Sequence, residues 1–194
     1  MKSLKGTQTA DNLAKAFAGE SQARNRYTYY AMIAESEGHE HVATIFRETA
    51  DNERAHAKIF YDFLIAGLGK AHIKVDAEYP IGIGNTEQNL LYGAEGEKEE
   101  WGTLYPGFAD IAKQEGFQEI EFAFRKIIEI ETHHEQRYLD LYNRIKDGKL
   151  YSQDSAQRWK CRTCGYIFEG PAAPNVCPAC KYPQGYFEIM YDPV

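Results

Sequence analysis

The chain has 194 residues, 43% hydrophobic and 26% charged, enough for one ordinary domain and a small second one. Its formal net charge of -7 argues against nucleic acid as a partner, because phosphates require a basic face. No uncharged apolar run approaches the roughly 18 residues of a membrane span, and Met1 to Gly6 lacks the features of a signal peptide, so the expected location is the cytoplasm.

From Thr7 to about Ala66 the chain is rich in helix formers, with apolar residues recurring at three and four positions. The one interior break, Glu37-Gly38-His39, suits a helix C-terminus, and the pattern predicts two antiparallel helices joined by a tight turn. Gly67 to Thr86 carries Gly67, Gly69, Pro80, Gly82 and Gly84 and reads as a long crossover. Whether it joins hairpins within one chain or exchanges them between two is open at this level. Helical patterning runs again from about Glu87 to Glu115, breaks at Gly116 and resumes to Lys146, where Asp147-Gly148 ends it. A polar stretch from Tyr151 to Gln157 reads as a linker, and a cysteine-, proline- and aromatic-rich segment begins near Arg158. The expected division is a helical domain over 1–150 and a small domain over 151–194.

The helical part repeats itself at an offset of 78 residues: Tyr27 matches Tyr105, Glu37-Gly38 matches Glu115-Gly116, Phe46-Arg47 matches Phe124-Arg125, Glu53 matches Glu131 and His56 matches His134. With a one-residue slip, Gly19-Glu20 matches Gly96-Glu97. Two copies of one helical hairpin therefore make a four-helix bundle.

Glu53 with His56, and Glu131 with His134, are spaced i, i+3, which puts each pair on one helix face. Glu20 and Glu53 lie 18 and 15 residues from Gly38, and Glu97 and Glu131 lie 19 and 15 from Gly116. At about 1.5 Å per residue all four stand roughly 22–28 Å from their turns. Packing the hairpins brings Glu20, Glu53, His56, Glu97, Glu131 and His134 to one level of the core. Bare carboxylates there would repel each other and lose water, and cations would offset that cost. Carboxylate oxygens with one imidazole per ion suit iron or manganese. The set matches the known ligand pattern of ferritin-like di-iron bundles. A lone Glu-x-x-His is common on solvated helices; two copies in register are not.

Glu100, at i+3 from Glu97, has no acidic counterpart in the first half and makes the site asymmetric, unless it merely belongs to the solvated acidic run Glu97 to Glu100. Tyr27 and Tyr105 stand about two turns from Glu20 and Glu97, within reach of a ligand or an oxidant, and could equally be core tyrosines. His39, His41, His72 and His133 have no paired acidic residue in register and read as surface or structural. Cys161-x-x-Cys164 and Cys177-x-x-Cys180 form two knuckles twelve residues apart, a tetrahedral thiolate site for zinc or iron.

Over nearly its whole length the chain resembles the rubrerythrin family, through Glu20, Glu53-x-x-His56, Gly96-Glu97-x-x-Glu100, Tyr105-Pro106, Glu131-x-x-His134, Cys161-x-x-Cys164-Gly-Tyr and Cys177-Pro-x-Cys180. The resemblance implies a mainly α fold: a ferritin-like four-helix bundle holding two non-haem irons, and a C-terminal rubredoxin-like domain whose four cysteines hold one redox-active iron. It implies reduction of hydrogen peroxide to water, with one bundle iron moving between His56 and Glu100. Electrons would come from an external NAD(P)H-dependent reductase, since no Gly-x-Gly-x-x-Gly nucleotide motif is present. It further implies a homodimer or higher oligomer, in which each cysteine domain serves its neighbour. Two alternatives remain at this level. One is a ferritin-like ferroxidase, against which the thiolate domain argues, and the other is a zinc-ribbon binding module.

Overall fold

The computed structural model describes residues 2–191. Helices α1 (Gln8–Ser36) and α2 (Glu40–Leu68) form the first hairpin. The second is built from α3 (Thr86–Glu99), a π-helical turn (Glu100–Leu104), α4 (Tyr105–Gln114) and α5 (Gln118–Lys146). The backbone stays right-handed helical across both junctions of the π turn, so α3 and α4 act as one rod and the bundle has four. None of the helices is long and apolar enough to cross a membrane.

The π turn departs from the unbroken helix that patterning predicts, and the repeat explains it. Seven positions separate Glu20 from Tyr27, but eight separate Glu97 from Tyr105. For the two tyrosines to occupy equivalent places, the second rod must absorb one extra residue, which a single π turn does. Its signature bond runs from the Tyr105 N–H to the Glu100 carbonyl. Pro106, which has no N–H to donate and whose ring crowds the carbonyl four residues back, sits where the widened turn ends.

Gly38 and Gly116 close their hairpins in the left-handed region, at φ 82° and 79°. The glutamates before them bind the two hairpins together. Glu37 accepts from the N–H (2.9 Å) and hydroxyl (2.6 Å) of Thr86 at the start of α3. Glu115 accepts from the Gln8 and Thr9 N–H groups and the Thr9 hydroxyl at the start of α1. Each turn thus supplies a carboxylate to the positive end of the other hairpin's first helix. The crossover, residues 69–85, has no regular structure and runs within the chain along the bundle. It is tied down by Tyr79 Oη donating to the Lys15 carbonyl (2.9 Å) and by Tyr30 Oη donating to that of Gly82 (3.0 Å).

Inside the bundle two apolar cores lie on either side of a polar layer. One is built around Tyr27, Tyr30, Phe46 and Tyr138, the other around Phe60, Tyr105, Phe108 and Phe124. The small domain is a three-stranded antiparallel sheet, ordered β2 (Ile167–Ala172), β1 (Ser152–Cys161), β3 (Phe187–Ile189). The expected linker Tyr151–Gln157 is therefore mostly strand. It was unreadable as one because its residues are polar and its pairing with β2 is irregular between Ser152 and Gln157. Trp159, Cys161, Ala173, Cys177 and Phe187 form this domain's core.

The domain docks at the α1–α2 turn. His39 stacks on Tyr151 with ring centroids 5.9 Å apart and its Nδ1 is 2.9 Å from the Tyr151 hydroxyl. His41 Nδ1 lies 3.6 Å from Glu188. Gly185 lies against the Gly38 carbonyl, where a Cβ would collide with backbone. The variant Gly185→Ala is expected to weaken docking by about 1–3 kcal/mol while leaving helix content unchanged. Limited proteolysis between residues 147 and 158 checks this, with faster cleavage expected in the variant.

Candidate metal centres

Glu20, Glu53, Glu97 and Glu131 are fully buried, and His56 and His134 nearly so. Helical spacing aims all six inward at one level. His56 Nδ1 lies 2.8 Å from Glu131 Oε1, 3.2 Å from Glu53 Oε2 and 3.7 Å from Glu20 Oε2. His134 Nδ1 repeats the pattern with the opposite oxygens: 2.7 Å from Glu131 Oε2, 3.2 Å from Glu53 Oε1 and 3.8 Å from Glu97 Oε2. Two groups able to hold a metal follow, Glu20/Glu53/His56/Glu131 and Glu53/Glu97/Glu131/His134, each with ligand atoms within 4.8 Å of one another. They share Glu53 and Glu131, whose two oxygens face different groups, which is the arrangement of bridging carboxylates.

The donor set fits metal ions on a further ground. Glu20 Oε2, Glu53 Oε1, Glu97 Oε2, both Glu131 oxygens and His134 Nδ1 are buried without an aligned hydrogen-bond partner. Buried polar atoms are almost always paired. Within each group they crowd within 4.8 Å of one another with their lone pairs unmatched by donors, as atoms arranged around a cation do.

The outward-facing atoms are satisfied across the hairpins. Tyr27 Oη donates to Glu97 Oε1 and Tyr105 Oη to Glu20 Oε1, both at 2.5 Å. The two tyrosines are core residues and hydrogen-bond donors at once. Tyr27 packs against Phe46 and Tyr138, and Tyr105 against Phe124 and Phe60. Replacing either by Phe removes a donor from a carboxylate of the candidate metal groups, and a roughly 10-fold or greater loss of affinity at one bundle site is expected. Metal titration of the stripped protein measures it.

Glu100 stands apart from both groups. It is half-buried on the first residue of the π turn and borders a cavity of about 330 Å³ with Gly19, Tyr79 and Tyr105. Burial, then the charge of Glu20 ahead of the other carboxylates, holds its carboxyl well above the usual range. Its Oε1 faces Gly19, the residue before Glu20, 3.8 Å from where a Cβ there would stand, which puts it on the Glu20/His56 side. A residue unmarked in the sequence also reaches the layer: Asn52 Oδ1 is 3.2 Å from His134 Nε2. The signal that could have exposed it was its mismatch with Ile130 in the repeat.

In the small domain Cys161, Cys164, Cys177 and Cys180 converge, with Sγ–Sγ distances of 3.6 Å (Cys161–Cys180) and 3.7 Å (Cys164–Cys177), and none is disulfide-bonded. The two knuckles are built alike. The Gly165 N–H donates to the Cys161 carbonyl and the Lys181 N–H to that of Cys177. Both fourth residues are left-handed, Gly165 at φ 76° and Lys181 at φ 66°. At Cys177 burial raises the thiol, but N–H groups of Cys180 and Ala179 outweigh it and bring it down to about 7, favouring the thiolate that metals bind.

A ferritin-like bundle with paired carboxylate-histidine groups and an appended four-cysteine site defines a di-iron carboxylate protein with its own thiolate metal domain. A family model described as Rubrerythrin matches residues 11–142, and one for the rubrerythrin rubredoxin-like domain matches 159–188. The chain belongs to the rubrerythrin family, a family of iron-dependent oxidoreductases, with a rubrerythrin-type di-iron site and a rubredoxin-like cysteine site. It is 54% identical to Rubrerythrin-1 of Clostridium acetobutylicum, over 98% of each chain. Fully reduced, all-ferrous nigerythrin superposes with a TM-score of 0.65 at 29% identity, covering 97% of this chain and 92% of that one. Mycobacterium tuberculosis bacterioferritin, at 14% identity with 76% and 90% covered, shares the bundle fold with a TM-score of 0.65.

Without metal, protons take the cations' place. Burial opposes a charged His134, but the carboxylates of Glu131 and Glu53 beside its Nδ1 outweigh it and push it up to about 12; His56 is raised in the same way. Burial, then the charge of Glu53, lifts Glu20 to about 8. Groups raised in the folded state stabilise it fully below their unfolded values, 6.5 for His and 4.5 for Glu, and lose that contribution as pH rises through the folded ones. Glu53, held low by the two histidines against burial and Glu131, acts oppositely only at acid pH. The metal-stripped protein is therefore expected to lose Tm as pH rises from about 5, through about 8 for Glu20 and on toward 12 for His134, and bound metal to reverse the trend, because metals displace these protons. Thermal unfolding across pH, with and without chelator, tests both signs.

Proposed function

We propose that the chain is a non-haem di-iron peroxidase that reduces hydrogen peroxide to two waters, taking up two electrons and two protons, in defence against oxidative stress. Residues 1–150 hold the reacting site and residues 151–194 the electron-delivering one. In this reading Glu53 and Glu131 would be shared by the two irons, Glu20 with His56 and Glu97 with His134 would complete the two sites, and Cys161, Cys164, Cys177 and Cys180 would hold one iron. Two ferrous ions so bound would supply two electrons and Lewis acidity to peroxide. The observation that carries the proposal is the asymmetry: a carboxylate beyond the six, Glu100, lies beside the Glu20/His56 group on a cavity large enough for a small oxidant.

The chain's own residues divide the remaining work. His56 and Glu100 would offer alternative ligands to an ion held beside Glu20. Glu100, whose carboxyl burial and then the charge of Glu20 hold well above the usual range, would serve as a proton donor to the oxygens of peroxide. Tyr27 and Tyr105 fix the terminal glutamates, and the aromatic cores on either side exclude water from the layer.

Electrons reach the cysteine iron from an external NAD(P)H-dependent reductase. Because the cysteine domain docks at the α1–α2 turn, roughly 22–27 Å along the helices from Glu53 and Glu20, delivery runs between copies in a homodimer or higher oligomer. Stopped-flow absorbance of the anaerobically reduced protein mixed with peroxide tests the reading. Fast oxidation of the di-iron site followed by return of the thiolate-iron colour supports it, and silence in both bands overturns it. Glu100→Ala is expected to slow the first phase at least about 10-fold, within the range for a group that carries a proton in the reaction.

A further inference from the structure

The two halves of the polar layer are mirror copies in their inner atoms and differ in what lies behind them. His134 Nε2 faces the Asn52 amide oxygen at 3.2 Å. An amide oxygen only accepts, so Nε2 carries a proton, which leaves Nδ1 as the nitrogen available to a metal. The repeat moves Asn52 onto Ile130, an aliphatic residue 39% exposed, which can accept nothing. Correspondingly His56 makes all its polar contacts through Nδ1, and its Nε2 meets no acceptor among the described residues. The untethered histidine belongs to the group beside which Glu100 waits.

From this difference we infer that Asn52 is a positioning residue that locks the tautomer and ring of His134, and that Ile130, by withholding the same lock from His56, decides which of the two bundle ions is free to move. The inference rests on the proposed exchange of an ion between His56 and Glu100 and says what confines it to one side. A ring held at both nitrogens can turn away from its metal only by breaking two interactions; a ring held at one breaks only the metal bond. The two ions are thus set apart by a residue that touches neither.

Cobalt(II) titration of the chelator-stripped full-length chain provides the test, the thiolate-cobalt bands of the cysteine site being read separately from the bundle. Asn52→Leu is expected to weaken one bundle ion about 10- to 100-fold, the usual effect of removing the partner that orients a metal-binding histidine. The other ion should stay within about twofold. Asn52→Asp, which keeps an acceptor, should restore the affinity, and an unchanged helical circular dichroism signal excludes unfolding. The loss should persist in a His56→Ala background and vanish in His134→Ala. In zinc-loaded protein, nitrogen NMR should show a slowly exchanging, hydrogen-bonded His134 Nε2–H in the parent and faster exchange of that proton in Asn52→Leu. Equal affinities in parent and Asn52→Leu, or a loss confined to the His56 ion, overturns the inference. Peroxide turnover is not read at any point, so failure of the peroxidase reading and failure of this one are distinguishable.

Discussion

The bundle is organised around one demanding act, the burial of four carboxylates and two imidazoles in a single layer. Left to themselves such charges would each cost several kcal/mol and drive the helices apart. Here the layer lies between two apolar cores, so water cannot relieve it. What relieves it is a cation, or failing that a proton. The raised Glu20 and His134 and the inward lone pairs of Glu131 are one fact seen from different atoms. Everything nearby serves to keep these groups pointing at two shared positions and at nothing else.

The means of doing so is reciprocity. Tyr27 of the first hairpin holds Glu97 of the second, and Tyr105 of the second holds Glu20 of the first. Glu37 and Glu115 exchange caps in the same sense. Against this symmetry the departures stand out, and they gather beside the polar layer. The extra residue becomes a π turn and carries Glu100, and Asn52 faces His134 where Ile130 is its repeat mate. A duplicated frame gives two equivalent metal positions, and a few unmatched residues make them unequal.

Much of this was legible in the residue order. The i, i+3 pairs and the offset of 78 brought six side chains to one level before any coordinates, because helical geometry is regular enough for spacing to stand for position. The tyrosines were only half legible, since spacing gives the level of a hydroxyl and not the hairpin across which it bonds. The π turn was written in the one-residue slip, though patterning alone reads through it because a π turn keeps the backbone helical. The start of β1 was hidden, since a polar strand with irregular pairing lacks the alternation that marks a buried face. His39 and His41 were read as surface or structural groups; their contacts with Tyr151 and Glu188 are tertiary and have no local trace.

The tyrosine exchange also bears on how the molecule comes into being. A hairpin alone presents a Glu-x-x-His pair and a facing glutamate, but that glutamate has no phenol behind it, and only one of the two carboxylates shared by both groups is present. Neither half is a working centre in miniature. Redox-active iron therefore has no competent seat on a nascent or half-folded chain, and the reactivity of the site is born complete, at the moment the second hairpin closes on the first.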